Sequence, residues 1–262
     1  MLHLFCRALL FLLLVSSPPA SGGSGWIPLF NGLDLNDWTP KIRGFVAGTD
    51  PQGTFHVQEG LLTVSYKNYP TFNNRFGHLF YKTPYSHYRL RLEYRFVGSQ
   101  APGGEPWAFK NSGVMVHSQP PGTMLPEQDF PIAIEVQFLG GAEPGKPRPT
   151  ANVCTPGTHV VYQDTFTTSH CIPSDAPTFY NEDWVSVEIE VQGGRQITHF
   201  VNNESVMTYG GLTTGGGVVS GHRPELKPEG EALEHGYIAL QSESHPIQFR
   251  NIELLPLSPH PP

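Results

Sequence analysis

The sequence is poor in charge, in cysteine and in long apolar runs. Only 15% of its 262 residues are charged, and 16 lysines and arginines face 23 acidic residues, a formal net charge of −7. A nucleic-acid partner needs clustered positive charge to displace counterions from phosphates, and these basic residues are spread along the chain, so that class is excluded. There is no G-x-S-x-G elbow, phosphate-binding loop, H-E-x-x-H pair or dinucleotide fingerprint, which leaves serine-hydrolase and nucleotide chemistry without support. The apolar run Ala8–Val15 has eight residues, against the ~20 that a bilayer-spanning helix needs. It follows Arg7 and precedes the small residues and prolines of Ser16–Ala20. It therefore reads as a signal peptide over residues 1–20, and the protein is expected to be exported, with no membrane span once mature.

Three cysteines are present, and Cys6 leaves with the signal peptide. Cys154 and Cys171 remain. In an oxidising compartment such a pair reads as a disulfide, worth roughly 3 kcal/mol by loop closure. The rival reading combines both thiols with His170 as zinc ligands, although a C-x-x-C element is missing.

Glycine (28) and proline (26) are abundant, the balance of short strands joined by many turns. Period-2 alternation recurs and a helical period does not. In Tyr88–Val97, residues Tyr88, Leu90, Leu92, Tyr94 and Phe96 share one face; Arg89, Arg91, Glu93 and Arg95 share the other. In Ile132–Leu139, residues Ile132, Ile134, Val136 and Phe138 oppose Ala133, Glu135, Gln137 and Leu139. Leu61–Tyr66, Val114–His117, Val185–Val191, Ile197–Val201, Val206–Tyr209, Tyr237–Gln241 and Ile247–Leu255 read as further strands. Gly193-Gly194 and Asn202-Asn203 supply left-handed turn positions. About ten to twelve strands predict an all-β fold, a two-sheet sandwich or barrel, as one domain over residues 26–257. Residues 21–25 are expected to be flexible and 258–262 a disordered tail. Gly98–Pro106, Pro120–Pro131 and Leu212–Glu234 are long loops of the kind that carry function.

Six segments in order resemble one family. Trp26-Ile-Pro-Leu-Phe-Asn-Gly-Leu-Asp-Leu-Asn-Asp-Trp38 resembles the opening W-x-x-L-F-N-G-x-D-L-x-x-W of the 3-keto-disaccharide hydrolases, also described as 3-keto-glucoside lyases/hydratases. Phe55–Gly60, Asn111–Val114 (N-S-G-V), Ile134–Gln137 (I-E-V-Q), Gly236–Gln241 and Phe249–Ile252 (F-R-N-I) match its later motifs. The resemblance implies a concanavalin-A-like jelly roll of two antiparallel sheets and an exported bacterial protein acting on sugars oxidised at C3. The chain departs from the pattern at Phe55, where the family has Trp, and at His117, where many relatives carry Arg.

Glu135 and Gln137 are the leading candidates. They are neighbours on one strand face, ~6.6–6.8 Å apart, a spacing that suits the fixed polar partners a sugar needs. Alternation puts Met115 and His117 on one face, making His117 a candidate base, metal ligand or sugar contact. His159 and His170 lie in the loop between Cys154 and Cys171, a candidate lid or metal site. Glu135, His117 and His159 are the catalytic candidates. The same three are candidate ligands for a divalent metal ion that would stabilise an enolate. Gln137, Asn111, Trp107, Glu243 and Arg250 are candidate substrate contacts. Trp107 offers a stacking platform in a Gly/Pro-rich loop. Asn111 and Gly113 are read as turn-shaping, Arg250 as an ion-pair anchor, and Trp26 and Trp38 as core residues. The expected activity is cleavage of a 3-keto-glycoside, and the partner is a sugar; the alternative is a non-catalytic carbohydrate-binding module on the same fold.

Overall fold

The structure is a computed structural model and describes residues 25–259. The expected signal peptide and the end of the expected tail lie outside the described residues. Seventeen strands and three short 3₁₀ turns are present among the described residues, with no α-helix. None of their helices is long and apolar enough to cross a membrane.

The N-terminal third supplies β1 (Ile27–Pro28), β2 (Trp38–Ile42), β3 (Phe55–Gln58), β4 (Leu61–Val64), β5 (Gly77–Tyr81) and β6 (His87–Phe96). The middle supplies β7 (Asn111–Ser118), β8 (Ile134–Leu139), β9 (Asn152–Cys154), β10 (Thr158–Tyr162), β11 (Thr165–Thr167) and β12 (Cys171–Ile172). The last third supplies β13 (Val185–Gln192), β14 (Gln196–Val201), β15 (Glu204–Thr214), β16 (Tyr237–Ser242) and β17 (Ile247–Pro256). One sheet has ten strands, ordered β11-β10-β15-β14-β13-β6-β17-β4-β3 with β1 paired to β17. The other has seven, ordered β12-β9-β8-β7-β16-β5-β2. Every paired neighbour is antiparallel. This is the jelly-roll sandwich that the alternation and the motifs predict.

The core lies between the sheets. Leu90, Leu92, Tyr94, Val187, Ile189 and Phe249 of the ten-stranded sheet pack on Val114, Ile134, Val136, Phe138 and Leu240 of the seven-stranded one. Tyr94 stacks on Phe138 across the gap, centroids 4.3 Å apart. Each such fully buried large side chain contributes about 1.5–3 kcal/mol, so this layer outweighs any surface contact.

Several local expectations change. Asn111–Val114 is the first half of an eight-residue strand, not a turn. β15 runs from Glu204 to Thr214, far beyond Val206–Tyr209. Gly193 takes a positive φ in its hairpin whereas Gly194 does not, while Asn202 and Asn203 are both left-handed. Trp38 is buried and its indole N–H donates to the Leu29 carbonyl. Trp26 is not a core residue: it lies on the outer face under the Arg91 guanidinium, 4.1 Å from the ring centroid. Arg250 is an ion-pair anchor as read, bonded to Glu93 at 2.8 Å and stacked on Trp184.

Candidate functional site

The site is built on the outer face of the seven-stranded sheet, away from the core. In β8 the odd-numbered residues Glu135 and Gln137 point outward while Ile134, Val136 and Phe138 enter the core. Cross-strand pairing sets Glu135 against Met115 of β7 and Cys154 of β9, and Gln137 against Gly113 and Asn152. Gly113 matters for its missing side chain. A Cβ there would stand 2.8 Å from the Val136 carbonyl oxygen and 3.1 Å from Oε1 of Glu135. Glycine therefore lets the carboxyl lie close against the sheet.

Loops wall off a cavity of about 270 Å³ above this floor, lined by Trp107, Asn111, Phe130, Glu135, Gln137, Pro156, His170, Cys171, Val218 and Glu243. That is a small site by the ~300–1,000 Å³ standard for drug-sized ligands, and suits one sugar ring. Glu135 is 4% exposed and Glu243 3%. Oε1 of Glu135, Oε2 of Glu243 and Oδ1 of Asn111 have no hydrogen-bond partner among the described residues. Burial pushes both carboxyls above the ordinary range, and the Glu135 charge pushes Glu243 further; the Gln241 side chain opposes the shift at Glu135 and Arg148 opposes it at Glu243. Repulsion between two buried carboxyls disfavours the state in which both are ionised.

Each group is held from behind. Asn152 donates its amide to Oε1 of Gln137 at 3.0 Å, leaving the Gln137 amide nitrogen as a donor for a ligand. Glu243 opens a turn fixed at Ser244. There the Ser244 N–H donates to the Tyr66 hydroxyl, and the Ser244 carbonyl accepts the Ala101 N–H, both at 2.8 Å. Arg148 donates to the carbonyls of Trp107, Phe109, Lys110 and Gly140, tying the Trp107 loop to the end of β8. Trp107 stacks on Phe76 at 5.9 Å, and Phe76 on Phe130 at 4.9 Å.

The model of the 3-keto-alpha-glucoside-1,2-lyase-like domain matches residues 25–255. The chain belongs to this family. Two crystal structures of candidate glycosyl hydrolases from Parabacteroides distasonis ATCC 8503 share the family member's fold. One matches at a TM-score of 0.53 and 17% identity over 88% of this chain and 99% of its own. The other matches at 0.51 and 17% over 89% and 94%. A Bacillus subtilis protein of galectin-like fold follows at 0.49 and 10%, over 85% and 90%. No curated protein matches the sequence.

Within this family domain, five of the residues chosen from sequence meet in the cavity: Glu135, Gln137, Asn111, Trp107 and Glu243. Three do not. His117 sits at a register shift between β7 and β16 with φ of +50°. The bulge turns the ring off Met115's face, so that Nε2 meets the Gly193 carbonyl at 3.0 Å and burial lowers the ring's pKa to about 4. His159 stands on the ten-stranded sheet, its Nε2 2.9 Å from Glu229. Arg250 is occupied by Glu93 on that sheet's outer face. Glu135, His117 and His159 therefore do not form a metal-ligand set. Cys154 and Cys171 are disulfide-bonded across paired strands, which uses the thiols that a zinc reading with His170 requires.

The histidine at the cavity is His170. Its carbonyl accepts the Thr155 N–H at 2.8 Å, its Nδ1 is buried without a partner among the described residues, and burial lowers its pKa. The sequence reading puts it in a candidate lid or metal site and does not name it among the substrate or catalytic residues. Its adjacency to Cys171 was the available signal, because a bridge between strands fixes the residue beside it.

Proposed function

We propose that this protein cleaves 3-keto-glycosides by β-elimination, with Glu135 as the base and Glu243 as its proton-bearing partner. The observation that carries the reading is the pair of buried, mutually repelling carboxyls in a cavity the size of one sugar ring. A C3 ketone acidifies the proton on C2. Glu135 removes that proton, and the electron pair of the C2–H bond passes into an enolate on the C3 oxygen. The pair then returns, re-forming the ketone, making the C1–C2 double bond and breaking the bond from C1 to the leaving oxygen. Glu243 gives its proton to that oxygen, so the two carboxyls still carry one proton between them. In this reading the Gln137 amide nitrogen, left free by the Asn152 bond to Oε1, donates to the developing negative charge. Burial suits Glu135 to the task, since a raised pKa makes a stronger base. Addition of water to the double bond would turn elimination into net hydrolysis. The family membership supports the substrate class, and the Cys154–Cys171 bridge supports action outside the cytoplasm.

The test is aglycone release from a chromogenic 3-keto-glucoside, in both anomers, by wild type and Glu135→Gln. Release that falls by roughly a thousandfold in the variant is the expected result. Sugar binding seen by calorimetry without release from either anomer would overturn the enzyme reading and leave a carbohydrate-binding module.

A further inference from the structure

The lining of the cavity divides by chemistry. Asn111, Glu135, Gln137 and Glu243 come from β7, β8 and the turn after β16 and form a polar floor. Trp107, Phe130, Pro156 and Val218 come from four different loops and carry one polar group on their side chains between them, the Trp107 indole N–H. Trp107 is 52% exposed and Val218 53%, two of the few large apolar side chains open to solvent among the described residues. Trp107 is held from behind. The Trp107 ring rests on Phe76, and its carbonyl takes a hydrogen bond from Arg148. Val218 holds a φ of +40°. A β-branched residue in the left-handed region is an outlier, costing on the order of 1–3 kcal/mol, and such strain gathers at binding sites.

We infer that the leaving group of the natural substrate is aromatic or otherwise apolar, not a second sugar, and that Trp107 and Val218 grip it. This rests on the glycoside-cleaving reading and specifies its substrate class. A sugar in the leaving position presents hydroxyls around its whole edge, and each needs a fixed partner once water is displaced. The rim supplies only the Trp107 indole N–H from its side chains, with His170 adding a single ring, too few for the hydroxyls of a second sugar. A flat apolar ring instead loses no hydrogen bonds on entering and buries its faces against Trp107 and Val218. The rim is continuous with the floor, so one glycoside fills both.

The experiment compares two substrates whose leaving groups are both simple alcohols, so that leaving-group acidity does not decide: the 3-keto derivative of 2-phenylethyl glucoside and a 3-keto-disaccharide. Expected is a kcat/KM about tenfold or more higher for the phenylethyl compound, a preference that Trp107→Ala removes. Equal or better turnover of the disaccharide would overturn the inference. In parallel, Glu135→Gln is titrated with unoxidised 2-phenylethyl glucoside and with trehalose, read by calorimetry. If neither 3-keto compound is turned over yet the phenylethyl glucoside binds about tenfold tighter, the reaction fails and the apolar leaving-group site stands. If neither compound binds and neither is turned over, the inference falls too.

Discussion

Two strands in this protein carry the same kind of pattern and come to opposite ends. On β6, Arg89, Arg91, Glu93 and Arg95 point out of the ten-stranded sheet; on β8, Glu135 and Gln137 point out of the seven-stranded one. The β6 residues find partners on neighbouring strands: Arg89 with Glu190 and Glu188, Arg91 with Glu253, Glu93 with Arg250, Arg95 with Gln248. They stay partly in water. Glu135 and Glu243 are sealed from water with an oxygen each left unpartnered among the described residues. Alternation decides which way a side chain points. Whether that direction ends in solvent or in a site is decided by loops far away in sequence.

The largest effect that separates the faces is on turnover. Glu135→Gln should lower the rate by roughly a thousandfold, as loss of a general base does, while Arg250→Ala leaves kcat/KM within about twofold. A comparable loss in Arg250→Ala would erase the distinction. Next is the covering layer itself. Opening the Cys154–Cys171 bridge by Cys→Ala at both positions should lower stability by roughly 3 kcal/mol in denaturant unfolding, and should lower turnover as well, because His170 is freed. Unchanged turnover would remove the loop wall from the site.

The third effect is a contrast in pH dependence. Glu135 and Glu243 have raised pKa values in the folded state. Their contribution is complete below the ordinary carboxylate pKa and is lost as pH climbs through the raised one, so stability falls from about pH 4 upward. Glu93 is held low, chiefly by its hydrogen bond to Arg250, so its contribution is present above the ordinary value and lost as pH falls. Glu243→Gln should therefore raise the melting temperature at neutral pH and flatten the fall, by about 1.4 kcal/mol for each tenfold change in proton affinity. Glu93→Gln should flatten only the acid side. Matching slopes for the two variants would mean that the faces are electrostatically alike. The smallest effect is Arg250→Ala on stability, about 1 kcal/mol for a part-exposed ion pair with a ring contact.

Long alternating strands were legible from the chain: β6, β8, β13 and β17 lie where the pattern puts them, and with them a sandwich or barrel, which the family resemblance narrows to the jelly roll. The two- to five-residue strands β1, β2, β5, β9, β11 and β12 are too short to show a period, and the Ser112-Gly113 pair gives the start of β7 the look of a turn. Glu135 and Gln137 could be chosen because face and motif agreed, Asn111 by its motif alone, and Trp107 as an aromatic ring in a Gly/Pro-rich loop. His117 misled because a single-residue bulge reverses every direction beyond it. The turn that carries Glu243, just past its strand, is fixed at Ser244 by Tyr66, Gln100 and Ala101, contacts that no local window contains.

Gly113 gives this site an unusual vulnerability. Its Cα faces the Val136 carbonyl and the Glu135 carboxyl at distances that admit hydrogen and nothing larger. One methyl group at that point would act as a doorstop: it meets the Val136 carbonyl first and the Glu135 carboxyl next, so the β7–β8 backbone must give before the side chain can settle. The floor of the cavity thus depends on its smallest side chain as well as on its acids, and crowding alone, with no change of charge, disturbs it.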